Sequence, residues 1–154
     1  METTLVLVKP DGVQRRLVGR ILARFEEKGL QIVGLRLARL ERALLEKHYG
    51  AHRGKPFYEG LVTYMASSPV VAIALRGKNA VAVVRKMMGA TFGSKAEPGT
   101  IRGDFAVSDG FNLVHGSDSP EAAAKEMDLF FGGAAVDWTP GDTEWVYDVS
   151  DGAR

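Results

Sequence analysis

With 154 residues, 45% of them hydrophobic and 25% charged, the chain has the mix of an ordinary globular domain, expected to run 1–154 as one unit. Lys and Arg number 20 against 19 Asp and Glu, and a formal charge of +1 argues against a dedicated nucleic-acid binder or a polybasic membrane protein. There is no cysteine, which excludes a disulfide framework and a thiolate metal site. The apolar run in METTLVLVKPDG is too short for a signal peptide and nothing later approaches a membrane span, so the cytoplasm is the expected location.

The β-branched run TLVLVK predicts a first strand, stopped by the turn chemistry of Pro10-Asp11-Gly12. From Val13 the pattern turns helical: Leu17, Ile21 and Phe25 form one row, Val18 and Leu22 flank it, and Gly29 closes it. QIVGLRLARL (31–40) alternates Ile32, Gly34 and Arg36 against Val33, Leu35 and Leu37, the pattern of a strand with one wet face. ERALLEKHYGAH predicts a helix, and YEGLVTYMASS a second short one after the break at Lys55-Pro56-Phe57. PVVAIALRG (69–77) is nearly all apolar and is expected to lie centrally in a sheet, followed by a helix over NAVAVVRKMMG.

Residues 90–111 are rich in Gly, Ser, Thr and Pro, and a loop of that length in a compact domain is usually functional or disordered. FNLVH is the last strand, and Ser119-Pro120-Glu121 opens a helix to Phe131 with a capping Ser, Pro at the first helical position and an acidic first turn. The polar tail carries Trp138, Trp145 and Tyr147 as candidate anchors. The order reduces to βαββαβ, an α+β, ferredoxin-like arrangement in which a four-stranded antiparallel sheet carries helices on one face, with the long loop added.

No P-loop or Rossmann fingerprint is present. Lys9, Arg85, Thr91 and Arg102 could converge on an anionic group, since Arg suits bidentate phosphate oxygens; from composition alone, solvated charges on separate faces are the favoured reading. In PGTIRGD, Gly99 and Gly103 let the backbone bend around a ligand beside Arg102, or simply build a rigid loop. His48 and His52 share a helix face, but a metalloprotease motif needs Glu where Tyr49 stands, so a helix-end pair with ordinary hydrogen bonds is expected rather than zinc. Phe57 is a candidate stacking platform, with a core aromatic the favoured alternative. His115, in NLVHGSDSPEAAAKE, has the only side chain type that titrates near neutral pH, and so serves equally as base, nucleophile, ligand or core residue.

Taken together, VKPDGVQRRLVGRILARFEEKG, HRGKPFYEGLVTYM, VRKMMGAT, PGTIRGDF and NLVHGSDSPEAAAKE, in this order and spacing, resemble the nucleoside diphosphate kinase family over about residues 3–131. The H-G-S-D-S signature is the most specific part. The resemblance implies that His115 is the nucleophile that carries a phosphoryl group from nucleoside triphosphates such as ATP to diphosphates. It implies that Ser117 and Glu126 hold that histidine, and that Lys9, Tyr49, Arg85, Thr91 and Arg102 face the phosphates. Asn112 and Lys9 would meet the sugar hydroxyls, and Phe57 and Leu61 the base. Mg2+ would arrive on the nucleotide phosphates with no direct protein ligand, and the chain would assemble as a homotetramer or homohexamer. Nucleic acid is not expected as the main partner, and no membrane is. The chain departs from residues common in the family at Ser68, Arg76, Phe92-Gly93, Asp109 and Phe111. A non-catalytic ferredoxin-like module that binds nucleotide or nucleic acid, and a histidine phosphocarrier acting on proteins, are the alternatives.

Overall fold

The computed structural model describes residues 1–152. In chain order the elements are β1 (Glu2–Val8), α1 (Pro10–Gln14), α2 (Val18–Glu27), β2 (Gln31–Ala38), α3 (Arg42–His48), α4 (Tyr58–Ala66), β3 (Val70–Gly77), α5 (Ala80–Met88), α6 (Ile101–Phe105), β4 (Val114–Gly116), α7 (Pro120–Phe131) and α8 (Thr143–Val146). The four strands form one antiparallel sheet in the order β2-β3-β1-β4. β3 is internal and buried along almost its whole length, as its unbroken apolar run requires.

The two faces of the sheet are both covered. Val6, Val8, Ile73 and Leu75 meet Ile21 and Phe25 of α2 and Val84 and Met88 of α5, the two helices of the βαββαβ core, on one face. Leu5, Leu7, Ala72 and Ala74 turn the other way, against Leu45 of α3, Val62 and Met65 of α4, and Met127 and Phe130 of α7. The helix pair inserted between β2 and β3, together with the helix after β4, adds this second layer. Each fully buried Leu or Phe in these layers contributes about 1.5–3 kcal/mol of transfer free energy.

Three local features differ from the sequence expectation. Pro10-Asp11-Gly12 does not end in a turn but winds into α1, whose first position suits Pro, and the helical stretch then breaks at Arg16, which takes φ 59°. β2 carries an irregularity between Ile32 and Gly34, so Leu35 and Leu37 end up 54% and 67% exposed. In the tail, Trp138 donates its Nε1–H to the Ile32 carbonyl (2.9 Å) and the Tyr147 hydroxyl donates to the Gly29 carbonyl (3.3 Å), whereas Trp145 is 85% exposed.

Candidate active site

The short pairing of β4 with β1 sets the centre of the site. Leu7 lies opposite His115, so the imidazole shares the face on which α3, α4 and α7 pack. α7 begins where the Ser119 hydroxyl accepts the Ala122 N–H (3.0 Å), a side-chain N-cap with Pro120 behind it. That start fixes the helix phase and brings Glu126 to His115, with Nε2 and Oε2 2.6 Å apart. Ser117, fully buried, donates its hydroxyl to the same carboxylate oxygen (3.4 Å). With Nε2–H donating to Glu126, the lone pair of the neutral ring resides on Nδ1. The imidazole is 24% exposed, enough to be reached from outside.

Before the strand, Leu113 adopts φ 71°, a costly conformation for a non-glycine residue. Its N–H donates to Asp11 Oδ2 (3.1 Å) and its carbonyl accepts the Lys9 N–H (2.8 Å). Asp11 Oδ1 in turn accepts the Tyr64 hydroxyl (2.5 Å), tying α1 and α4 to the approach of β4.

Lys9, Arg102, Thr91 and Asn112 do not stand on separate faces. Lys9 Nζ donates to Asn112 Oδ1 (2.8 Å), and Asn112 Nδ2 donates to the Thr91 carbonyl (2.8 Å). Buried Arg102 donates to the carbonyls of Asn112 (3.1 Å), Gly89 (3.1 Å) and Val114 (2.7 Å), which uses three of its five N–H groups. Arg85 reaches the Gly116 carbonyl from α5 (3.3 Å). Burial, and then the Arg102 charge, hold the Lys9 ammonium down to about 8, partly opposed by Asp11. Burial and the Arg85 charge likewise lower Arg102 to about 10. A cluster of cations confined this way is short of anions, and an incoming anion relieves both shifts.

Phe57 is 52% exposed and so is not a core aromatic; its ring lies 5.3 Å from that of His52. Leu61 is partly buried against the second core layer. Tyr49 is buried, and desolvation raises its phenol pKa. The long loop is not structureless: Thr100 caps α6 by accepting the Gly103 N–H (3.0 Å), and a Cβ on Gly103 would sit 1.8 Å from the Glu97 carbonyl oxygen. The family departures have local partners. Ser68 accepts from Gln14 (2.8 Å), Arg76 pairs with Asp137 (3.2 Å), Asp109 accepts from the Ser94 hydroxyl (2.6 Å), and the Phe111 ring lies 5.3 Å from that of Tyr64. Gly93 fits where a Cβ would be 2.5 Å from the Ala106 carbonyl oxygen.

His48 and His52 are not the plain helix-end pair expected. His52 Nδ1 meets Lys55 Nζ (3.1 Å), but His48 turns inward, its ring edge-on to His115 with centroids 4.8 Å apart. Its Nε2 is buried and has no hydrogen-bond partner among the described residues. Burial first, and then the neighbouring His115, push its pKa down to about 4. No local pattern around His48 announces this, because its neighbours come from β4 and α7.

Comparison with known proteins agrees with this architecture. The family model described as nucleoside diphosphate kinase matches residues 2–136. A nucleoside diphosphate kinase of Pelotomaculum thermopropionicum is 60% identical over 131 residues, 85% of this chain and 88% of that protein. One from Archaeoglobus fulgidus is 51% identical over 149 residues, 96% of this chain and 99% of that protein. Among solved structures, a halophilic nucleoside diphosphate kinase from Halobacterium salinarum in complex with CDP superposes with a TM-score of 0.92 at 47% identity, covering 96% of this chain and 99% of that one. That of Encephalitozoon cuniculi gives a TM-score of 0.92 at 43% identity, covering 96% and 100%. By its sequence along nearly its whole length, and by its fold, the chain belongs to the nucleoside diphosphate kinase family.

Proposed function

We propose that the chain transfers the γ-phosphoryl group of a nucleoside triphosphate to a nucleoside diphosphate through a phosphohistidine at His115. The observation that carries this reading is the His115–Glu126 hydrogen bond, which engages Nε2 and leaves the Nδ1 lone pair for phosphorus. In the first half-reaction the bond from His115 Nδ1 to the γ-phosphorus forms as the bond to the bridging oxygen breaks, and the nucleoside diphosphate leaves with that electron pair. The second half-reaction reverses these steps with a different diphosphate in the same site, which gives ping-pong kinetics. Charge spreads over the phosphoryl oxygens in a loose, in-line transition state, so positioning and cations do most of the work.

In this reading Lys9, Arg85 and Arg102 meet phosphate oxygens, Thr91 and Tyr49 complete the phosphate site, and Ser117 and Glu126 hold the nucleophile. Asn112 and Lys9 contact the sugar, while Phe57 and Leu61 form the base platform, where stacking on an exposed ring tolerates every base. Mg2+ does not fit a protein-held site here. The groups around Lys9 are cations and amides, and both oxygens of Asp11 are already hydrogen-bonded. The ion would enter on the nucleotide phosphates. The exposed Leu35 and Leu37 on β2 support a homo-oligomer, tetrameric or hexameric, acting on free nucleotides in the cytoplasm.

The test is intact mass after mixing with ATP and Mg2+, and again after adding GDP. One acid-labile phosphoryl group per chain, removed by GDP with formation of GTP and absent from His115→Ala, is the expected result. Bound nucleotide with neither phosphoenzyme nor GTP would leave a binding module on this fold.

A further inference from the structure

We propose that His48, His115 and Glu126 form a binding site for a first-row transition cation, Zn2+ above all, and that occupancy of this site switches the enzyme off. One ligand atom from each of the three residues lies within 4.8 Å of the other two. They come from three elements, α3, β4 and α7, so the set is built by tertiary packing rather than by chance along one helix. The second observation is an orphan nitrogen: His48 Nε2 is buried and has no hydrogen-bond partner among the described residues. A buried imidazole nitrogen normally has one, and its lack calls for an explanation. A cavity of about 410 Å³ opens onto the three side chains between Lys47, His52, Asp118 and Leu129, and gives an ion a path from solvent.

The donor set selects the ion. Two imidazoles and a carboxylate are the protein ligands of one class of four-coordinate zinc site, whose fourth position is left to water or an anion. Mg2+ prefers six oxygens and does not compete for such a set. Zinc bonds of about 2.0–2.2 Å place ligand atoms roughly 3.3 Å apart, so atoms now up to 4.8 Å apart must close in by as much as about 1.5 Å while the His115–Glu126 contact opens.

Inhibition follows from counting lone pairs. Neutral His115 has one, whichever ring nitrogen bears the proton. Once it is given to the metal, none is left for phosphorus, and Glu126 loses its grip on the ring at the same time. The inhibitory half of the proposal rests on His115 being the phosphoryl carrier; the binding half does not.

The experiment titrates chelator-treated, full-length protein with Zn2+ against a chromophoric competitor, and records the visible spectrum with Co2+ in place of Zn2+. One ion per chain is expected, with Co2+ bands of tetrahedral intensity. His48→Phe should weaken binding at least tenfold, and His52→Ala should leave it unchanged. Zn2+ should block phosphoenzyme formation from ATP, and a chelator should restore it. Binding that is absent, or as tight in His48→Phe as in the wild type, overturns the site. Should His48→Phe not fold, the Co2+ spectrum of the wild type decides alone, because an octahedral or missing spectrum rejects a site with this donor set. The phosphoenzyme assay without zinc separates the two readings. Phosphoenzyme without zinc binding sinks only this proposal, whereas zinc binding without any phosphoenzyme sinks phosphoryl transfer through His115 and leaves the site standing.

Discussion

Glu126 orients His115 with a charge as well as a hydrogen bond, and the two roles can be separated. In Glu126→Gln the side-chain carbonyl still accepts the Nε2–H across the 2.6 Å contact, but the compensating negative charge is gone. Weakening an orienting partner in this way is expected to cost about 10- to 100-fold. Phosphorylation by ATP, followed by rapid-quench, should therefore slow within that range while the fold is kept; an unchanged rate would reduce Glu126 to a helix carboxylate. Lys9 offers a pH signature. Desolvation and Arg102 favour its neutral form in the free enzyme, with Asp11 opposing, so the ammonium is lost near pH 8 rather than above 10. The sign is that phosphate binding is strong below that value and weakens above it, since only the charged form attracts the anion. kcat/KM should fall through a limb near pH 8, mostly as a rise in KM, because bound phosphate holds the proton on. Lys9→Arg, charged at every accessible pH, should shift the limb upward. A profile flat to about pH 9.5 would remove Lys9 from the phosphate site.

At the scale of elements, the stretch between α5 and β4 shows how glycine placement builds a site. Gly103 is packed so closely that a Cβ would overlap the Glu97 carbonyl oxygen at 1.8 Å, and Arg102 beside it donates to three carbonyls of the surrounding backbone. Gly103→Ala must push the loop away from α6. A loss of about 1–3 kcal/mol in a denaturant melt is expected from such overpacking, with a rise in nucleotide KM because Arg102 is displaced. Unaltered stability and KM would show that the loop adapts freely. The same stretch marks what the residues alone could convey. PGTIRGD and NLVHGSDS were readable because the groups that matter are local in sequence, and Ser119 announced α7 by its own capping chemistry. The kink at Arg16 and the irregularity in β2 were not, since a positive φ and a shifted register are imposed by packing and leave no periodic trace. His48 is the clearest case. Read with His52, four residues on, it looked like half of a surface pair, whereas its real neighbours are 67 and 78 positions away, at His115 and Glu126.

For the molecule as a whole, the open question in the sheet is its edge. Among the described residues, β2 has β3 on one side and no strand on the other. The tail covers only its first half, where the Val33 carbonyl accepts the Val136 N–H (2.7 Å) and the Ile32 carbonyl accepts from Trp138 (2.9 Å). Beyond the irregularity no described residue covers the edge, and Leu35 and Leu37 are 54% and 67% exposed. A bare, apolar edge with free backbone groups is a template for a second strand, and a stable monomer normally blunts it with Lys or Pro. Here Arg36, between the two leucines, is the only charge, and it reaches for the Phe130 carbonyl at 3.5 Å rather than standing guard over the edge. A second copy pairing along β2 would cover both leucines and extend the sheet across a two-fold axis. Leu35→Lys with Leu37→Lys should then lower the mass measured by light scattering from an oligomer to smaller species. The phosphoenzyme should still form, because His115 lies on β4, at the opposite edge of the sheet from β2. An undiminished assembly would place the contact elsewhere on the surface, and a wild-type chain that is monomeric at micromolar concentration would remove the edge from consideration.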